Sequence, residues 1–484
     1  MSRIVVYFVN TNEKPYKMKL HQFSLITFLL ALMALSSCSK RSELLDTIPA
    51  DSNVVAVADV RKICSELGIT FSPTGAAIPG ELKSKLGLND DSNGLLDLLG
   101  RLDAYGTADV SAVAMVYYDD QMVMTLPVES LDRLKALDCP WLQWGDDSEG
   151  FATGTLGKDL SVVASDSQLW LLDVSPKAAS KVKSLLKAAD KQAVGGIDAI
   201  ARSLTAGKLV NMAVLMENAG EKDGEKENHD ALLASTWSLI GINVDGKRLV
   251  ADVSMVKGTG EDIAVEGMQP VNPAVLSYVP SSCSMAFAAG LTPRFNWDFL
   301  KLLATVGGDF QTRAAIDVAV PFLSSIDGTV LAAAAPANDE AFSDPDPSNW
   351  NFIIMAHLSQ EKIDQLLGMV RTMMFTSGVS PRIDKDGIMV VPQYGMNLYM
   401  GNVDGYFAVA TFPFDNNRDN SLAPVFGGKE AAAVLSLPSV SLLSPSAPSW
   451  GLDVKAQFDG SKGQVELSLP GSEGSVLVNL LSLL

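Results

Sequence analysis

The chain has 484 residues, 47% of them hydrophobic and 19% charged, with a formal net charge of −19. That composition excludes a disordered chain, and the length is enough for two or three domains. So acidic a surface excludes nucleic acid as a partner, because phosphate binding needs clustered Lys and Arg, and three His with four Cys leave little material for metal or acid–base chemistry.

The first predicted element is a leader. Lys17, Lys19 and His21 form a basic start, and residues 23–35 (FSLITFLLALMAL) follow as an uncharged apolar run. Such a run is too short to span a bilayer as a mature helix, which needs about 20 residues. It ends in Leu35-Ser36-Ser37-Cys38, and a small pair before a Cys at this place is the bacterial lipobox. Residues 1–37 therefore read as a signal peptide whose true start is Met18, and Cys38 as the site of lipidation. Several acyl chains hold such a protein stably on a membrane, where one chain would be marginal. Removing residues 1–37 takes away four bases and one acid, so −19 becomes −22. Ser39 after the Cys favours sorting to the outer membrane. The acidic run that accompanies surface export is missing, so the protein is expected to face the periplasm, with surface exposure as the alternative. Residues 38–47 form the tether.

Beyond the tether the chain reads as two copies of one pattern. Ile48-Pro49-Ala50-Asp51-Ser52 leads into a strand at 54–60 (VVAVADV) and a helix at 61–67. Val279-Pro280-Ser281-Ser282-Cys283 leads into a strand at 285–291 (MAFAAGL) and a helix at 294–306. Later landmarks recur in the same order. The strand 112–118 after Gly106-Thr107 matches 330–335 after Gly328-Thr329. The strand-to-helix unit 122–137, with Leu131 and Leu134, matches 352–367, with Ile363 and Leu366. The strand 169–172 matches 406–409, and the late hairpin 237–256 matches 450–469, with turns at Asp245-Gly246 and Asp459-Gly460. Insertions at 217–230 and 337–349 account for the drift in spacing and are expected to project as mobile acidic loops. Trp237 and Trp450 are expected at equivalent, buried places at the head of the late hairpins. Helices mixed with hairpins, without regular βαβ alternation, imply α+β. The expected architecture is two similar α+β lobes from an internal duplication, 48–258 and 274–484, mainly antiparallel sheets with helices packed on them. A linker at 259–273 joins them.

The lipobox, the I-P-A-D-S start into strand and helix, and the two-copy layout near 480 residues resemble an uncharacterised family of lipoproteins from Bacteroides-type bacteria, a domain of unknown function. The resemblance covers nearly all of the mature chain. It implies an envelope location and a two-lobed α+β body, and it supplies no catalytic residue.

Chemistry is sparse. No G-x-S-x-G nucleophile elbow, H-E-x-x-H, C-x-x-C or phosphate-binding loop occurs. Ser184-Leu185-Leu186-Lys187 matches S-x-x-K, yet it lies in a Lys-rich amphipathic helix without the partner motifs. His229 and His357 read as surface residues. Cys64, Cys139 and Cys283 match no zinc spacing and have apolar neighbours, which suits buried thiols. Asp344 and Asp346 alternate with prolines as a weak metal-site candidate, lacking the Gly turn and downstream Glu of a calcium loop. Trp141 and Trp144 are either core residues or a platform on which a sugar ring could stack. No cofactor is implied. The reading is a non-enzymatic envelope lipoprotein, a binding or scaffold module with its ligand or partner site between the copies. Its partners would be the membrane through the anchor and an envelope protein or a glycan. The alternative is a carboxylate-based hydrolase of glycan or peptidoglycan.

Overall fold

The computed structural model describes residues 40–85, 90–217, 233–297, 322–338, 341–342, 346–393, 396–416, 422–442 and 448–481. The leader, Cys38, His229, Asp344, most of the first insertion and most of the expected helix 294–306 lie outside them. In the first half the strands are β1 Val54–Ala58, β2 Thr70–Ser72, β3 Gly75–Ala77, β4 Val113–Tyr118, β5 Gln121–Pro127, β6 Leu142–Trp144, β7 Ala152–Leu156, β8 Leu160–Ala164, β9 Gln168–Asp173, β10 Val210–Glu217, β11 Thr236–Asp245 and β12 Arg248–Lys257. The second half carries β13 Met268–Gln269, β14 Met285–Leu291, β15 Gly328–Pro336, β16 Trp350–His357, β17 Arg382–Ile383, β18 Met389–Gln393, β19 Met396–Val403, β20 Tyr406–Ala410, β21 Ala431–Leu437, β22 Leu452–Asp459 and β23 Lys462–Ser468.

Apart from the β2–β3 ribbon, these strands make one antiparallel sheet of 21 strands. Its first half runs β6-β7-β8-β9-β5-β4-β1-β10-β11-β12. The second runs β23-β22-β21-β14-β15-β16-β20-β19-β18-β17, with β13 on the end of β14. Counted outward from the β12–β23 seam, each landmark pair occupies the same place in its half: β1 with β14, β4 with β15, β5 with β16, β9 with β20. Local chemistry matches too. After β5 and after β16 a serine caps a helix, Ser130 accepting from the Arg133 N–H at 3.2 Å and Ser359 from the Lys362 N–H at 3.4 Å. The late hairpins turn through Gly246 (φ +60°) and Gly460 (φ +64°), each the first central residue of a two-residue loop, where positive φ favours glycine.

The expected pair of α+β lobes with helices packed on their sheets is therefore not what forms: one antiparallel sheet of 21 strands dominates the molecule, and the helices are lesser additions to its faces. Each half ends in a hairpin whose last strand, β12 or β23, would expose a row of unpaired N–H and C=O groups. The two rows pair with each other instead, from Arg248 opposite Ser468 to Ser254 opposite Lys462, and one sheet results. The core also crosses the seam. The C-terminal helix Val476–Leu481 buries Val476, Leu477 and Leu481 with Ile63, Leu98 and Leu102 of the first half.

Period-2 alternation gives the sheet two faces. On the first face, Val55, Val57, Ala213, Trp237 and Leu239 lie under residues from the helices Lys40–Leu45 and Asp198–Leu204. On the second, the helices Val60–Glu66, Asp90–Ala104 and Val476–Leu481 cover the first half. The apolar rows of that second face continue over the seam: Leu249, Leu467, Val454, Leu435 and Met285 are successive cross-strand partners, and beside them Val465, Ala456, Ala433, Phe287, Ala332 and Ile354. Among the described residues these three helices do not reach the far end of those rows, leaving Phe287 47% and Ile354 52% exposed, while the helix Gln360–Thr376 covers Ala289, Val330 and Ala356 farther along the same face.

The expected equivalence of the two tryptophans holds only for their strands. Trp237 is wholly buried within β11, whereas Trp450 precedes β22, is half-buried and packs on the first half's core. The second insertion is not a free loop where it is described. Ala341 and Asn349 are buried, Asn338 Nδ2 donates to Asn349 Oδ1 at 2.8 Å, and Phe342 meets Trp350 edge to face at 5.1 Å.

Candidate functional site

Beside the β12–β23 seam, on the first face, the sheet carries a polar row among its apolar ones. Asn211 of β10 lies opposite Gly241 of β11, which lies opposite Asp252 of β12. Asp252 faces Gln464 of β23, and Gln464 faces Gln457 of β22. Directly opposed residues project to the same side, so these groups share one floor. A cavity of about 570 Å³ stands over it, walled also by Ser203, Ser254 and Lys462.

Both halves send a lysine into it by the same local device. The helix Asp198–Leu204 is followed by Gly207 (φ +72°) and Lys208, then β10. The helix Ala423–Phe426 is followed by Gly428 (φ +73°) and Lys429, then β21. A left-handed glycine stands in each connection from helix to strand, three residues after Leu204 and two after Phe426, and the lysine follows it directly. Strands β10 and β21 are five spacings apart, about 24 Å, and flank the seam from its two sides. Lys208 reaches inward over Gly241, where a Cβ would sit 2.5 Å from its Cδ. A larger residue there would push the lysine stem aside.

The charges are matched. Lys208 Nζ donates to Asp252 Oδ2 in a short ion pair, and Asp252 Oδ1 accepts from Gln464 Nε2 at 2.8 Å. Lys429 Nζ donates to Asp459 Oδ2 at 3.3 Å, and Lys462 Nζ stands 3.2 Å from Asp262 Oδ2. Burial pushes the Asp252 carboxyl upward, but the hydrogen bonds from Lys208 and Gln464 and the lysine's charge outweigh it, holding it below the ordinary carboxylate value. Gln457 Nε2 is taken by the Val425 carbonyl at 2.7 Å. One polar group is unmatched: Asn211 is 1% exposed, lines the cavity, and its buried Nδ2 meets no acceptor.

The residues singled out from sequence lie elsewhere. Trp141 and Trp144 are half-buried against the first half's core, at the far edge strand β6, with Gly94 set against the Trp141 ring. Asp346 is exposed and caps its own turn, accepting from the Ser348 N–H at 2.8 Å and hydroxyl at 2.7 Å, which lowers its pKa. Ser184 and Lys187 are exposed on the helix Ala178–Ala189. His357 ends β16, with Nδ1 against the Asp327 carbonyl and its ring edge to face with Tyr406 at 5.2 Å. Cys64, Cys139 and Cys283 are free thiols, the first two buried, and burial pushes Cys64 up to about 12. No group of three or more His, Cys, Asp or Glu that could hold a metal occurs among the described residues. The cavity residues were missed. The signal available was the pair of Gly-Lys dipeptides, each ahead of a β strand at matching places in the two copies.

No family model matches the chain, and no curated protein does. Among solved structures it is similar to TP0453 in crystal form III, at 10% identity over 54% of this chain and 85% of that one, with a TM-score of 0.25. It is also similar to crystal form IV of TP0453, at 11% identity over 45% and 83%, with a TM-score of 0.23. Neither likeness bears on fold or function.

Proposed function

We propose that the chain is a bacterial envelope lipoprotein, anchored through Cys38 on the periplasmic face of the outer membrane, and that it works as a non-enzymatic binding module. The observation that supports this reading is the cavity beside the seam, to which both halves contribute a lysine and both seam strands a floor. A site built jointly by two similar halves is a natural place for a ligand. The hydrolase alternative draws no support from this site. A general acid needs a carboxyl whose pKa is raised, and Asp252 is held down by Lys208 and Gln464.

The test is native mass spectrometry of the full, lipidated chain, purified in mild detergent from an envelope that carries it. Wild type is expected to retain a bound small molecule that is lost in Ser254→Trp, which fills the cavity from the middle of β12. A bare mass for both proteins, with both folded, would overturn the reading.

A further inference from the structure

The cavity mixes polar residues with apolar ones such as Leu239 and Phe458, its charges are paired, and this restricts what fits it. Each of its three lysines already faces a carboxylate: Lys208 with Asp252, Lys429 with Asp459, Lys462 with Asp262. An anion brought among the lysines would stand beside Asp252 and Asp459 as well, and a cation would stand beside the lysines. Either would gain attraction to one member of each pair and repulsion from the other, so neither sign of charge is favoured. An apolar ligand would strip water from those pairs and leave Asn211 Nδ2 unmet, which costs free energy with no return. What remains is a neutral molecule that accepts and donates at several points. A hydroxyl does both, and its hydrogen rotates to suit.

We infer that the ligand is a neutral polyhydroxylated molecule of mono- or disaccharide size; the inference rests on the reading of this cavity as a ligand site. Asn211 donates to one of its hydroxyl oxygens from the cavity floor. The lysines have further N–H donors beyond the one each gives its carboxylate, and the carboxylates of Asp252 and Asp459 have further lone pairs to accept from ligand hydroxyls. The volume of about 570 Å³ falls within the range usual for small-molecule pockets. Because the site carries balanced charge, binding of such a ligand is insensitive to salt, unlike that of an ionic one.

The experiment is calorimetric titration of the full chain in detergent with glucose, galactose, mannose, N-acetylglucosamine and cellobiose, and with glucose 6-phosphate and glucosamine as charged counterparts. At least one neutral sugar is expected to bind, at least tenfold more tightly than either charged probe. Its affinity should not change between about 0.05 and 0.5 M salt. Asn211→Leu should weaken it by about tenfold, the effect of one lost hydrogen bond. This variant removes a buried donor that has no partner, so its Tm should be unchanged or raised; Gln464→Met serves as a second variant of similar volume. Tighter binding of a charged probe, abolished by Asn211→Leu, would overturn the neutral class while leaving the cavity as a ligand site. So would failure of every probe alongside a native-envelope ligand that Ser254→Trp removes. Failure of every probe with no cavity-dependent mass would bring down the ligand site itself.

Discussion

Trp237→Ala is the perturbation that most directly tests how the two halves differ. Trp237 is 0% exposed, opposite Leu215 and Val256 and packed among Val55, Val57 and Leu239. An aromatic side chain of this kind buries about 150–250 Å², and at about 25 cal/mol per Å² that is roughly 4–6 kcal/mol as an upper bound. Truncation to Ala in a core costs about 3–5 kcal/mol. Its Nε1 is buried without a partner, so Trp237→Phe discards an unmet donor along with part of the ring. Relief of about 1–3 kcal/mol offsets the lost contacts, and the net effect should be within about 1 kcal/mol. Trp450, half-buried, should cost about 2 kcal/mol as Trp450→Ala. Urea unfolding of the full chain, followed by far-UV circular dichroism, reads these as midpoint shifts at a common slope. A Trp450→Ala loss equal to or above that of Trp237→Ala would refute the packing described. So would a Trp237→Phe loss as large as that of the alanine variant.

Cys38→Ala should release the protein from membranes or leave its leader uncleaved, and a membrane-bound band of mature size would defeat the lipidation proposal. In that variant iodoacetamide at pH 8 should label Cys283 well before Cys64, whose buried thiol is pushed up to about 12; peptide mapping reads the order. Tyr278 is held protonated by burial and by donating to Asp404 Oδ2 at 2.5 Å, and its pKa rises from 10.0 to about 12. A raised pKa contributes stability that is complete below pH 10 and is lost as pH rises through about 12, so Tyr278→Phe should flatten that limb of a Tm–pH curve. Asp252→Asn breaks a partly exposed ion pair, with relative exposures of 34% and 44% for the two side chains, and should cost no more than about 1 kcal/mol at pH 7. Because the Asp252 pKa is lowered, the difference from wild type should be present above the ordinary aspartate value of 3.8 and vanish as pH falls through the lower, folded-state value.

The sequence by itself determined what depends on neighbours a few residues apart. The hairpin turns at Gly246 and Gly460, the strand-to-helix units within 122–137 and 352–367, and the late hairpin strands of 237–256 are local properties, and all were legible. So was the common order of landmarks in the two copies, since matching spacing is written along the chain. Tertiary structure alone decided how the copies meet. Arg248 and Ser468 are 220 residues apart, and a strand at the end of a hairpin reads the same whether its free edge faces water or another strand. Hence two lobes were expected and one sheet formed. The C-terminal helix Val476–Leu481 could have covered either half, and only its fit beside Ile63 and Leu102 selects the first. The candidate site follows from the same event. Lys208 and Lys429 are ordinary surface lysines in sequence, and they face one cavity only because pairing across the seam sets β10 and β21 on its two sides. Asn211 looks like any polar residue in an alternating strand; its lack of a partner is a property of the packing around it, which no local pattern records.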